Sequence, residues 1–165
     1  MQRRLHIYWI DVPVSSRQIG LSVLPGRQDQ KRDLKQDLEV LKTSGVADVV
    51  CLVTHAELSH FGVSNLIKSY IESGFNVHEF PIHDGDAPQP EGLRKLIADM
   101  EIGLSLGRKI LLHCVGGLGR SGLVAACFLK SRGFSTENAI AIIRKQRSHM
   151  AIETAAQEQF VESYC

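Results

Sequence analysis

The chain has 165 residues, 44% hydrophobic and 22% charged, with a formal net charge of +1. That length suits one domain over 1–165 with a sizeable core, and the near-neutral balance gives no general electrostatic case for nucleic acid or a membrane surface. Four scattered cysteines, Cys51, Cys114, Cys127 and Cys165, make no C-x-x-C pair and no dense framework, so reduced thiols in a cytoplasmic setting are expected.

Met1 to Arg4 is basic, but the apolar run after it is cut by Asp11. It is too short for a signal-peptide core, and no other stretch approaches a membrane span. Strands are predicted over 5–12 and 18–23, the second ending at the turn Leu24-Pro25-Gly26. A surface helix over 29–44 carries Leu34, Leu38 and Leu41 on one stripe and stops at Gly45. The unbroken apolar run within 48–53 suits a strand covered on both faces. A short helix or loop follows over 54–62, then a helix over 65–73 with Leu66, Ile67, Tyr70 and Ile71 at helical spacing.

A strand over 75–80 ends at Pro81 and opens into the loop Ile82-His83-Asp84-Gly85-Asp86-Ala87-Pro88. Residues 90–106 form a helix with Leu93, Leu96, Ile97 and Met100 on one side. The apolar strand from Lys109 leads into a glycine-rich turn, and an alanine- and leucine-rich helix covers 122–129. Thr136 can cap a helix carrying Ala139, Ile142 and Ile143, and a last helix runs over 152–163. Alternating strands and helices predict a three-layer α/β fold, a mainly parallel central sheet flanked by helices. Ligands of such sheets sit beyond the carboxyl ends of the strands. Both Cys114 and Asp84 fall at that edge.

The most informative stretch is His113-Cys114-Val115-Gly116-Gly117-Leu118-Gly119-Arg120-Ser121. A strand, a glycine-rich turn and a helix start aim backbone N–H groups and the positive end of a helix dipole into one cradle, which fits a tetrahedral anion such as phosphate. The same field favours the thiolate of a cysteine at its lip. Gly116, Gly117 and Gly119 remove side chains that would block the anion. Arg120 offers a planar fork for two phosphate oxygens. Cys114 can attack phosphorus and carry a cysteinyl-phosphate.

These residues resemble the signature loop of the cysteine-dependent protein tyrosine and dual-specificity phosphatases. Leu24-Pro25-Gly26, Glu57-Leu58-Ser59, Pro81-Ile82-His83-Asp84-Gly85 and Leu123-Val124-Ala125-Ala126-Cys127 extend the resemblance, in order, toward its kinase-associated members. It implies their fold, with Cys114 as nucleophile, Arg120 as phosphate clamp and His113 to Arg120 holding the phosphate. A leaving hydroxyl needs a general acid. Asp84 matches the family's acid position; Asp86 is the alternative, and either can be a solvated turn aspartate. Ser121 can donate to the sulfur or be an ordinary helix-start serine. His113 fits an orienting role better than proton transfer. Gln157 matches a family glutamine and can position the second-step water, or be an exposed helix residue.

The loop interior has no lysine, which by resemblance favours one phosphate on a protein over polyanionic inositol phosphates. No extra segment deepens the pocket as in the longer tyrosine-specific enzymes, so phosphoserine and phosphothreonine are expected as substrates beside phosphotyrosine. The resemblance implies a cyclin-dependent kinase, phosphorylated on its activation-loop threonine, as partner; the protein itself is expected to be a monomer. The cysteinyl mechanism needs no cofactor or metal, although His83, Asp84 and Asp86 could be pictured as ligands. Cys51 or Cys127 could form a reversible disulfide with Cys114, against the commoner buried thiol. Rival functions are a catalytically weak phosphoprotein-binding module on the same fold and a sulfur-transfer or arsenate-reducing enzyme. The intact triplet of Cys114, Arg120 and Asp84 argues against the first, and the lack of a cysteine relay against the second.

Overall fold

The computed structural model describes residues 3–12 and 18–165, so Met1 and Gln2 of the basic N-terminus lie outside the described residues. Among the described residues five strands form one sheet: β1 (Tyr8–Ile10), β2 (Ile19–Ser22), β3 (Val46–Cys51), β4 (Asn76–Glu79) and β5 (Lys109–His113), in the order β1-β2-β5-β3-β4. Only β1 runs antiparallel, at the edge; the others are parallel. Ile110, Leu111 and Leu112 of the central β5 are fully buried, as expected of a parallel strand covered on both faces.

The helices are α1 (Leu34–Thr43), α2 (His55–His60), α3 (Leu66–Glu72), α4 (Pro90–Ser105), α5 (Gly119–Ser131), α6 (Thr136–Gln146) and α7 (Ala155–Ser163). Helices α4 and α5 both pack on β5, α1 on β3 and α3 on β4, while α6 and α7 pack on α5. The three-layer α/β arrangement predicted from the alternation is the one observed. Leu93, Leu96, Ile97 and Met100 of α4 are buried as their spacing requires, each stabilising the fold by about 1.5–3 kcal/mol relative to exposure. In α3, Leu66 and Tyr70 are buried, but Ile71 is 61% exposed. A run of apolar residues wider than the buried stripe leaves its last member in solvent.

Capping chemistry accounts for three shifted boundaries. Helix α1 begins at Leu34 because Asp33 accepts from Gln36 N–H at 2.8 Å, and 28–30 is a separate 3₁₀ turn. Ser135 caps α6 through Asn138 N–H, so Thr136 is its first residue and not its cap. Helix α7 starts at Ala155, later than predicted, because Thr154 and Gln157 form a capping box and Ile152 sits at φ 60°.

The register places the ends of the four parallel strands side by side: Ser22 opposite His113, His113 opposite Cys51, Cys51 opposite Glu79. The four loops that follow therefore open from one edge. They carry Arg27, Glu57 (in the first turn of α2), Asp84 and Cys114.

Candidate active site

Cys114 follows β5 directly and is 3% exposed. Its Sγ accepts from Gly117 N–H at 3.2 Å and lies 3.0 Å from Ser121 Oγ. Gly117 turns the chain at φ 66°, where a Cβ would come within 2.3 Å of the Ser22 carbonyl oxygen. No other residue fits there without moving β2.

The loop's carbonyls are drawn outward by partners from four places in the chain. Val115 O accepts from Leu24 N–H and from Arg27 Nη1, both at 3.0 Å. Gly116 O and Gly117 O accept from Arg147 Nη2 and Nε at 3.0 and 2.8 Å. Leu118 O accepts from Ile152 N–H at 3.1 Å as well as from Gly122 N–H within its own turn. In a trans peptide the N–H points opposite to the C=O, so tying these carbonyls outward turns the following amides toward the cradle. The first turn of α5 adds N–H groups that have no partner inside the helix. Arg27 is itself gripped by Asp29 at 2.8 and 2.6 Å, and Arg147 lies 3.9 Å over the Tyr8 ring.

Arg120 is 2% exposed, yet all its named contacts are charged or polar. Nη1 and Nη2 each donate to one oxygen of Glu57 at 2.8 Å. Nη1 also reaches Ile82 O at 2.8 Å, and Nη2 reaches Asp84 Oδ1 at 3.3 Å. Burial by itself would weaken the arginine's charge; the hydrogen bonds to Glu57 and the surrounding negative charges outweigh it and raise its pKa. For Glu57 burial works against ionisation, and the hydrogen bond from Arg120 overrides it, holding the carboxyl below its ordinary value. Glu57 in turn closes the capping box of α2, its Oε2 accepting from Thr54 N–H at 2.8 Å.

Residues 1–140 match the family model of cyclin-dependent kinase inhibitor 3. The chain belongs to that family. Cyclin-dependent kinase inhibitor 3 of Sus scrofa is 39% identical over 171 residues, covering 99% of this chain and 80% of that protein. The crystal structure of a kinase associated phosphatase, its catalytic-site cysteine replaced by serine, superposes with a TM-score of 0.92 at 36% identity, covering 98% of this chain and 94% of the other. The active form of the Tk-PTP phosphatase matches with a TM-score of 0.76 at 29% identity, over 96% and 97% of the two chains. Like these relatives, the chain is a phosphatase of the tyrosine and dual-specificity class.

Asp84 and Asp86 lie on the loop that meets Arg120 of this cyclin-dependent kinase inhibitor 3 family chain, and Gln157 bonds to the same loop. Asp84 joins the site through Arg120 even though its side chain is 79% exposed. Asp86 is held by its backbone, donating to His83 O and accepting from Gln157 Nε2 at 3.4 Å. Gln157 is not an exposed helix residue: it is fully buried, and its Oε1 accepts from the N–H groups of Glu153 and Thr154. Burial pushes the thiols of Cys51 and Cys127 up to about 12, which keeps both as unreactive neutral thiols.

His113 differs from its expected place among the phosphate-binding residues. It is fully buried, with Nε2 3.0 Å from Tyr70 Oη and Nδ1 3.3 Å from Cys114 O. Its imidazole, held by Tyr70 and close to the Cys114 carbonyl, supports the loop from behind. Burial lowers its pKa to about 4 from 6.5, so the folded protein holds it neutral. The unfolded chain takes up that proton below about pH 6.5, and the native state only near pH 4. Stability therefore falls as pH drops through this window, by up to about 3 kcal/mol from this group. Urea unfolding of the wild type and His113→Gln at pH 7 and 4.5 tests it. The wild type should lose more stability than the variant, and equal losses would refute a neutral buried imidazole.

Proposed function

We propose that the chain hydrolyses phosphate monoesters on proteins, phosphotyrosine and phosphoserine or phosphothreonine alike, through a cysteinyl-phosphate on Cys114. The observation that carries this reading is the convergence, on one cradle, of Cys114 Sγ, the outward-tied loop and Arg120, with Asp84 reaching Arg120 from the facing loop. The Cys114 thiolate attacks phosphorus, an S–P bond forms and the P–O bond to the substrate breaks. Asp84 gives its proton to the departing oxygen. The carboxylate so formed takes a proton from water, which attacks phosphorus as the S–P bond breaks and phosphate leaves. Ser121 Oγ, 3.0 Å from the sulfur, donates to the thiolate as it departs. Arg120 and the loop amides stabilise the equatorial oxygens in both steps.

Relatives of this chain are named for cyclin-dependent kinases and for kinase association. A loop interior of Val115, Gly116, Gly117, Leu118 and Gly119 adds no lysine to the cradle, which suits one phosphate on a protein. The substrate we propose is the activation-loop phosphothreonine of a cyclin-dependent kinase, met in the cytoplasm by a monomer that needs neither metal nor cofactor.

The purified protein should hydrolyse p-nitrophenyl phosphate and a phosphothreonine peptide of such a loop, and vanadate should inhibit both. Asp84→Ala should slow peptide turnover by about 10²-fold or more, and Asp86→Ala by far less. The reverse ranking transfers the acid role to Asp86. Tight phosphopeptide binding without turnover by the wild type would establish the binding-module reading instead.

A further inference from the structure

The loop that carries Asp84 has little packing to hold it. The aspartate side chain is 79% exposed, and Gly85 beside it turns at φ 80°. Up to Ile82 the segment is fixed by the Ile82 N–H bond to Leu52 O and by Arg120 on Ile82 O. Beyond the aspartate, two side chains from a distant part of the sequence take hold. Thr154 Oγ1 donates to Gly85 O at 2.8 Å, and Gln157 Nε2 reaches Asp86 O at 3.4 Å.

These are the two residues of the α7 capping box. Thr154 Oγ1 accepts from Gln157 N–H at 3.2 Å while donating its proton to Gly85. A hydroxyl can do both at once; a carboxylate in the same place can only accept. The stretch entering α7 also touches the phosphate loop. Ile152 N–H donates to Leu118 O, and a Cβ at Gly119 would lie 3.0 Å from Gln157 Oε1. One short segment thus bonds to the loop that holds the nucleophile and to the loop that holds Asp84.

From this geometry we infer that Thr154 is a positioning residue for proton donation: its hydroxyl fixes the Gly85 carbonyl, in the peptide one residue beyond Asp84, and so sets the distance from that carboxyl to the leaving oxygen. The inference rests on Asp84 being the general acid. A proton donor displaced by about 1 Å loses much of its effect, on the order of 10²-fold, and the loss is greatest for leaving groups that most need a proton. A residue that merely stabilised the fold would slow all substrates alike.

The test is kcat/KM over aryl phosphates of graded leaving-group acidity, for the wild type, Asp84→Ala, Thr154→Val and Thr154→Ser. The wild type should show a shallow dependence and Asp84→Ala a steep one. Thr154→Val, which keeps the shape and loses the hydroxyl, should approach the steep slope, with a loss of about 10-fold or more on the poorest leaving group. Thr154→Ser, which keeps the hydroxyl, should restore the shallow slope. If Thr154→Val does not fold, Thr154→Asp retains the helix cap and lacks the donor, and should give the steep slope in its place. A shallow slope for the donorless variant beside a steep one for Asp84→Ala overturns the inference. A shallow slope for Asp84→Ala overturns the acid assignment beneath it.

Discussion

Cys114→Ser should leave the protein folded and reduce phosphatase turnover by at least about 10⁴-fold. The substitution exchanges one atom at a site that is 3% exposed, and the Gly117 N–H and Ser121 hydroxyl remain to meet the new oxygen. A serine hydroxyl is a far weaker acid than a cysteine thiol, and no named partner of position 114 is a base, so it presents almost no anionic nucleophile at neutral pH. The anion cradle itself is unchanged. The variant should therefore unfold at the wild-type temperature and retain phosphorylated targets on a column while failing to release phosphate. Turnover within about tenfold of wild type would remove Cys114 from the chemistry.

Arg120→Lys is expected to cost about 10³-fold in kcat/KM and to destabilise the fold as well. The guanidinium fork meets Glu57 through two nitrogens at 2.8 Å and meets Ile82 O and Asp84 with the same two groups. An ammonium is a single point and cannot reproduce that planar set. One Glu57 oxygen and the Ile82 carbonyl would lose their donor, at a cost of about 1–3 kcal/mol. Phosphate would lose a bidentate partner at the same time. Calorimetric melting together with kinetics separates the two losses, since wild-type activity at temperatures well below melting would show that Arg120 serves stability alone.

The part of the site that lies within one short stretch was legible from residue types. His113 to Ser121 is contiguous, and each residue carries its own signal: a strand, then glycines, then an arginine at a helix start. Asp84 and Asp86 were both legible as acidic residues on a Gly- and Pro-rich loop after a strand, and the family resemblance preferred Asp84 between them. Tyr70, Arg27 and Arg147 were not, because their contacts with the loop span tens of residues and nothing local marks them. Tyr70 reads as one more apolar member of the α3 stripe until its hydroxyl is found on His113. The capping-box spacing Thr54 to Glu57 was present in the sequence as a helix-start signal. It could locate α2, but not the arginine that shares the carboxylate. The same holds for Gln157, whose burial depends on where α7 docks.

The Glu57 carboxylate carries a consequence for how this site can change over generations. One oxygen, Oε2, closes the first turn of α2 and also receives Arg120. Shortening it to aspartate would force a choice between the helix start and the arginine. Thr54, Glu57 and Arg120 are thus coupled through one carboxylate, and a substitution at Glu57 is felt at the helix start and at the arginine together.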